Sequence, residues 1–371
     1  MKFSISTAFY RRAHLVEEIY YQILNQTHTD WEWVVTDDFS PYGNAEEILF
    51  DICSKDPRVS YYRQSRKKEC YWNPQRGCKG DIVIQFDSDD FAYPKLMEVY
   101  NHFFLNRPEV AGISSFSHTV DSGGNWVEIQ GGGNYIPGET PTFNFTPMGR
   151  AWRNTVPEFD NGELQWYQQD TNIVRHTETQ GKWLYLPRVL YRYYYSVDTI
   201  SREPRSDEQN ELVERERLLI EKKFRWLHNK DKTTASLHFL PIMRIARDFS
   251  LGDFNLAKSR QKIFYYKSDI KTYERQLLKE LYFDHDLYFD LDVNEHPRYH
   301  EVVYHVNEYS IQNMEAIVNK LREQNTGVKL RFMLDSRESV TQDQLFDSLN
   351  AWIGPYGWFL GGHELYVNSM L

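Results

Sequence analysis

Gly80-Asp81-Ile82-Val83-Ile84-Gln85-Phe86-Asp87-Ser88-Asp89-Asp90 is the stretch whose reading decides the fold. Ile82, Val83, Ile84 and Phe86 form a short apolar run rich in β-branched side chains, which predicts a strand buried on both faces. Asp87, Asp89 and Asp90 then crowd its C-terminal end. In open α/β sheets, ligands sit beyond that end of the strands. Three neighbouring carboxylates repel one another, so a fold that gathers them there implies a cation. Magnesium or manganese suits an all-oxygen donor set that the phosphates of a substrate complete. A solvated acidic turn is the alternative reading of the triplet taken alone.

The sequence before this stretch alternates strand and helix. Residues 2–9 read as a first strand ending in the small loop Thr7-Ala8-Phe9. Residues 12–25 read as a helix with Leu15, Val16, Ile19, Tyr20, Ile23 and Leu24 on one stripe. Residues 31–36 are a second strand with Asp37-Asp38 at its end, 44–53 a short helix, and 59–63 a third strand. With 80–86 as the fourth, the order β-α-β-α-β-β predicts a mainly parallel, doubly wound sheet. Both acidic groups then emerge on one edge of it.

Composition narrows the class. A formal net charge of −10 weighs against a protein built mainly to hold nucleic acid. The 26 tyrosines and an aromatic content of 16% argue for packed cores rather than disorder. Cys53, Cys70 and Cys78 are too few and too irregularly spaced for a zinc site or a disulfide framework, and predict reduced thiols. No run of about 18 apolar residues occurs, and the first residues lack the apolar core of a signal peptide. The expectation is a cytoplasmic protein with no transmembrane segment.

The first half of the chain resembles the family-2 glycosyltransferases. The resemblance rests on Arg12-Ala13-His14-Leu15 through Ile23-Leu24-Asn25-Gln26-Thr27, on Trp33-Val34-Val35-Thr36-Asp37-Asp38-Phe39-Ser40, and on Asp87-Ser88-Asp89-Asp90. Gln169-Asp170 stands where the family has Glu-Asp, and Gly181 with Leu184-Tyr185-Leu186-Pro187 resembles the strand that closes its domain. The resemblance covers roughly residues 1–202. Three departures stand out: the first loop is Thr7-Ala8-Phe9 rather than Pro-Thr-Tyr-Asn, Gln169 replaces a Glu, and Ser196 falls where many members carry a His.

That resemblance implies an A-type, Rossmann-like catalytic domain. It further implies metal-dependent transfer, with inversion, from a nucleotide sugar, a UDP-sugar being favoured. Thr7, Ala8, Phe9 and Asp38 then hold the nucleoside; Asp38 capping the turn after it is the alternative. Asp87, Asp89 and Asp90 hold Mn2+ or Mg2+, with Asp87 and Ser88 beside the donor. Arg76 is the one cation between the third and fourth strands singled out for the diphosphate, the others there reading as solvent-facing. Asp170 is the candidate general base, a helix N-cap being the alternative. The acceptor is expected to be a glycan. A modified nucleic-acid base is the less favoured acceptor, and a non-catalytic scaffold that keeps the fold is the competing class. Nucleotidyl transfer is a weaker competitor, because Thr7-Ala8-Phe9-Tyr10 lacks the glycine-rich loop such enzymes bring after the first strand.

Beyond residue 202 the character changes. The charged, Pro-broken stretch 202–207 predicts a boundary, 203–297 a helical region, and 298–371 a small α/β module. Leu212, Val213, Leu219, Ile220 and Phe224 form one helical stripe, and Tyr273, Leu277, Leu278 and Leu281 another. Residues 287–292 read as an edge strand or loop. Residues 302–306 and 328–334 read as strands, 311–321 and 341–352 as helices, and Gly361-Gly362 as a closing hairpin.

Overall fold

The computed structural model describes residues 1–41, 44–65, 76–121, 126–130, 149–155, 169–195, 206–225, 257–267, 269–290, 299–306, 329–335 and 364–368, with 239, 245 and 316. Arg66, Lys67, Cys70, the glycines at 131–133, the Pro137-Gly138 turn, Ser196, residues 198–205, the helices expected at 311–321 and 341–352, and Gly361-Gly362 lie outside them. The chain divides into two compact units, Met1–Met243 and Arg244–Leu371.

The first unit opens with β1 (Phe3–Phe9), a 3-10 turn (Ala13–Leu15), α1 (Val16–Leu24), β2 (Trp31–Asp37), α2 (Asn44–Lys55), β3 (Val59–Arg63) and β4 (Ile82–Gln85). It continues with β5 (Phe91–Ala92), α3 (Leu96–Asn106), β6 (Val110–Asp121), β7 (Trp126–Gln130), β8 (Ala151–Arg153), α4 (Gln169–Gln180), β9 (Lys182–Tyr195) and α5 (Asp207–Phe224). The strands order as β3-β2-β1-β4-β8-β6-β9-β5, with β7 paired to β6. β3, β2, β1 and β4 are parallel neighbours. β8 enters antiparallel between β4 and β6, and β9 runs parallel to β6. The expected mainly parallel sheet is therefore present, and β4 stands at its middle.

Burial follows from the sequence. Ile82, Val83 and Ile84 are fully buried, as a run without polar alternation requires of a strand covered on both faces. Val16, Ile19 and Ile23 form the buried stripe of α1, while Leu24 is 43% exposed and drops out of it. Gln26 and Thr27, just past the helix, clamp the segment that follows the acid cluster. Gln26 Nε2 donates to the Tyr93 carbonyl (3.0 Å), and the Thr27 N–H and hydroxyl both reach the Pro94 carbonyl (2.8 and 3.2 Å).

β9 is bent by its own sequence. Pro187 has no N–H to give the ladder, and the register with β6 slips there: Ser115 opposes Leu186, but Phe116 opposes Val189. The irregularity carries β9 on past the acid cluster, where Tyr191 and Tyr194 meet it. Gly112 of β6 lies under Trp183, whose ring is 2.3 Å from where a Cβ would stand, so no other residue fits without displacing that ring.

α5 begins at a capping box, with Ser206 Oγ accepting from the Gln209 N–H. Ile220 and Phe224 are its buried contacts, and Phe224 meets His176 of α4 edge-on.

The second unit contains β10 (Lys262–Tyr266), α6 (Thr272–Leu281), β11 (Asp286–Tyr288), β12 (Glu301–Val306), β13 (Lys329–Asp335) and β14 (Glu364–Asn368). Its five strands order as β11-β10-β12-β13-β14, all parallel. Numbered within the unit, that is the 2-1-3-4-5 order of an open doubly wound sheet. α6, β12 and β13 lie where the sequence places them, and β11 is an edge strand as read. One correction arises. β10 falls inside the span read as helical, because a five-residue apolar run such as Lys262-Ile263-Phe264-Tyr265-Tyr266 carries no period that distinguishes strand from helix. β14 joins β13 in parallel.

Candidate active site

The C-terminal edge of the first sheet begins with two loops held to each other. After β1, Arg11 takes a left-handed backbone (φ 60°), and after β2 Phe39 does the same (φ 61°). The Arg11 N–H donates to Ser40 Oγ (3.1 Å), and the Asp38 N–H to the Phe9 carbonyl (2.8 Å). Asp37 takes the turn-forming role considered for Asp38: its Oδ1 accepts the Ser40 N–H (2.8 Å) and its Oδ2 the Tyr61 hydroxyl (2.8 Å). Arg63, read from sequence as solvent-facing, instead packs its guanidinium against this loop, donating to the Ser40 carbonyl (2.7 Å). Thr7, Phe9 and Asp38 are buried and Ala8 half-buried, with Thr7 Oγ1 accepting from Trp33 Nε1 (3.0 Å).

The acid cluster lies beside these loops, at the end of β4. Side-chain oxygens of Asp87, Asp89 and Asp90 lie within 4.8 Å of one another. This hard, all-carboxylate set fits Mg2+ or Mn2+. The backbone is held from several sides. Tyr191 Oη accepts the Asp87 N–H (3.2 Å), Asp90 Oδ1 accepts the Tyr194 N–H (3.0 Å), and Gln22 Nε2 of α1 donates to the Asp90 carbonyl (3.4 Å). Arg12 pairs with Asp89 at 3.0 Å. A cavity of about 260 Å3 opens between Arg12, Leu15, Ser88, Asp89 and Tyr194. Arg76 is exposed; among the described residues, Arg12 and Arg150 bring positive charge to the cluster.

Asp170 reaches the same place from the far side of the chain. It lies in the first turn of α4, where a carboxylate also meets the positive end of the helix dipole, rather than at the N-cap position. Its Oδ1 is 3.0 Å from Nη1 of Arg150, and its charge is felt at Asp87. Sequence reading missed Arg12, Arg150, Tyr191 and Tyr194 as members of the site. Arg12 carried a signal, as a cation one loop beyond β1. The other three carried none, since their approach depends on β8 and β9 pairing remote segments.

Crowding shows in the proton affinities. The Asp87 carboxyl is pushed up to about 7, by burial first and then by the charges of Asp89 and Asp170, with Arg150 opposing. Burial raises Asp90 well above the usual range, and Asp87 and Asp89 add to it. Burial also raises Asp89, against the lowering effect of Arg12. A folded-state pKa above the unfolded value of 3.8 means that the folded protein holds the extra proton between those limits. Metal-free stability therefore falls as pH rises from about 4 to about 7, and divalent cations should restore it most at the upper end. Thermal melts in EDTA and in manganese at about pH 5 and pH 7.5 test this. A melting temperature in EDTA that does not fall over that interval would contradict it.

A mainly parallel sheet whose middle strand ends in such a cluster is that of the A-type glycosyltransferase fold. Residues 4–172 match Glycosyl transferase family 2. An uncharacterised glycosyltransferase of Rickettsia conorii is 27% identical over 132 residues, 34% of this chain and 21% of the relative. Chondroitin synthase of Escherichia coli is 31% identical over 106 residues, 28% of this chain and 15% of that enzyme. The chain thus spans about a fifth or less of these relatives' length. Among solved structures, S. aureus TarS 1–349 in complex with UDP-GlcNAc aligns with 68% of this chain and 80% of its own, at 15% identity and a TM-score of 0.45. No helix among the described residues is long and apolar enough to cross a membrane.

Proposed function

We propose that the protein is a metal-dependent, inverting glycosyltransferase that moves a sugar from a nucleoside diphosphate sugar, a UDP-sugar by preference, to a hydroxyl of an acceptor glycan. Residues 1–202 are its catalytic domain in this reading. The observation that carries it is the convergence of Asp170 on the Asp87-Asp89-Asp90 cluster from a separate segment, at the sheet edge where ligands bind.

Asp38 and the Thr7-Ala8-Phe9 loop hold the nucleoside, and Ser88 borders the donor. Asp87, Asp89 and Asp90 hold Mn2+ or Mg2+, which when bound neutralises charge on the departing diphosphate. A sugar hydroxyl is a very weak acid, so Asp170 takes its proton as the new bond to the anomeric carbon forms. The sugar–phosphate bond breaks on the opposite face, and the diphosphate leaves with its electron pair. Attack opposite the leaving group inverts the anomeric centre. Arg12, paired with Asp89, stands near enough to share the neutralisation with Arg76. The net charge of −10 favours a glycan over a nucleic-acid acceptor.

The test is a donor screen. Manganese-dependent release of free nucleoside diphosphate from one class of nucleotide sugar, accelerated by an oligosaccharide acceptor, is the expected result. Failure of any UDP-, GDP- or dTDP-sugar to bind by calorimetry in manganese would favour the scaffold reading instead.

A further inference from the structure

Arg150 stands between the acid cluster and Asp170. Its carbonyl accepts the Gln85 N–H (2.9 Å), which pins it beside the end of β4, two residues before Asp87. Gly149 precedes it with φ +78°, and the Tyr191 ring is 2.6 Å from where a Cβ at Gly149 would stand. The backbone therefore passes tightly beneath the tyrosine that also grips Asp87.

The two partners of the Arg150–Asp170 pair differ sharply in exposure. The Arg150 side chain is 2% exposed, whereas the Asp170 side chain is 54% exposed. A guanidinium so deeply placed is expensive unless its charge is answered. A carboxylate on the first turn of a helix and open to water would otherwise sample several rotamers. The 3.0 Å contact ties the exposed group to the buried one. The same positive charge acts on Asp87, so a single side chain couples the position of Asp170 to that of the cluster.

We propose that Arg150 is a positioning residue for the transfer step: it anchors the Asp170 carboxylate at a fixed place relative to the acid cluster, so that base and donor site keep register. This rests on the reading of Asp170 as the base. Arg150 acts through Asp170 and touches neither sugar nor diphosphate, in keeping with its burial.

The test compares wild type, Arg150→Met, Arg150→Lys, Asp170→Asn and the double variant Arg150→Met/Asp170→Asn. Each is assayed for kcat and acceptor KM, and for donor affinity by calorimetry in manganese. Arg150→Met should lower kcat about 10²-fold, the loss that follows from misplacing a reacting group by about 1 Å. Donor affinity and acceptor KM should stay within about threefold. Arg150→Lys, which keeps the charge and one donor, should recover part of the loss. In the Asp170→Asn background, Arg150→Met should cost less than about threefold more, because the group it positions is already gone. Equal losses in both backgrounds would overturn the proposal, as would a collapse of donor affinity, which would make Arg150 a donor ligand. Inactive Asp170→Asn with fully active Arg150→Met overturns the positioning role alone. Asp170→Asn with wild-type turnover overturns the base assignment, and this role with it. If Arg150→Met does not fold, the Arg150→Lys comparison in the two backgrounds decides on the same criterion.

Discussion

Replacement of Asp170 by Asn is expected to lower kcat by roughly 10²–10⁴-fold while nucleotide-sugar affinity stays within about threefold. Asn keeps the size of Asp and can still hydrogen-bond, but it cannot accept the acceptor's proton. Asp170 is half-exposed on the first turn of α4, so the substitution leaves no cavity, but it removes a negative charge from beside the buried Arg150. Melting temperature should therefore fall somewhat, and retained donor affinity separates a chemical loss from a folding one. Gln169→Glu serves as the neighbouring control, since it adds a carboxylate without touching the base. Its effect should be far milder. Near wild-type turnover in Asp170→Asn would move the search for the base to Glu158, Asp160 and Glu163.

Asp89→Ala is expected to have the other large effect, on binding rather than on turnover alone. Manganese-dependent affinity for a nucleoside diphosphate should fall by at least about a hundredfold, since losing even an outer partner of a metal ligand costs 10–100-fold. Metal-free stability should move the opposite way. Asp89 is the largest charge pushing up the proton affinity of Asp87, so its removal relieves a repulsion within a half-buried cluster. Calorimetry with and without EDTA reads the first effect, and a melt in EDTA reads the second. Equal nucleotide affinity in EDTA for wild type and Asp89→Ala would exclude the metal from donor binding. A large fall in the EDTA melting temperature would mean that the Arg12–Asp89 pair stabilises the fold more than the carboxylates strain it.

Local sequence announced what is local in this structure. Ile82-Val83-Ile84 followed by three aspartates declares both a buried strand and a charged edge, because β-branched residues with no polar alternation fit few other places. The stripe of α1 and the strands β2 and β3 are legible for the same reason. The remainder of the site is not. Arg150 enters through antiparallel pairing of the three-residue β8 with β4, and a strand so short has no period to read. Tyr191 and Tyr194 reach the cluster because β9 slips its register at Pro187, which depends on the partner strand as much as on the proline. Asp37 and Asp38 are adjacent and alike in type; the geometry of the Phe39 turn decides which of them caps it. In the second unit, β10 is hidden by the strongly charged helical stripes on either side of it.

The pairing of β6 with β9 also has a consequence for synthesis on the ribosome. Asp87 and the tyrosine that grips it are 104 residues apart in the chain. At about 5–20 residues per second, the aspartates emerge roughly 5–20 s before Tyr191 does. During that interval β6 has no β9 beside it, and the carboxylates of β4 lack the backbone donor from Tyr194. The nascent domain therefore presents an open sheet edge next to an unscreened acidic patch until its last strand arrives. Ribosome-bound chains halted before residue 182 should engage holding chaperones, and chains released past residue 195 should not.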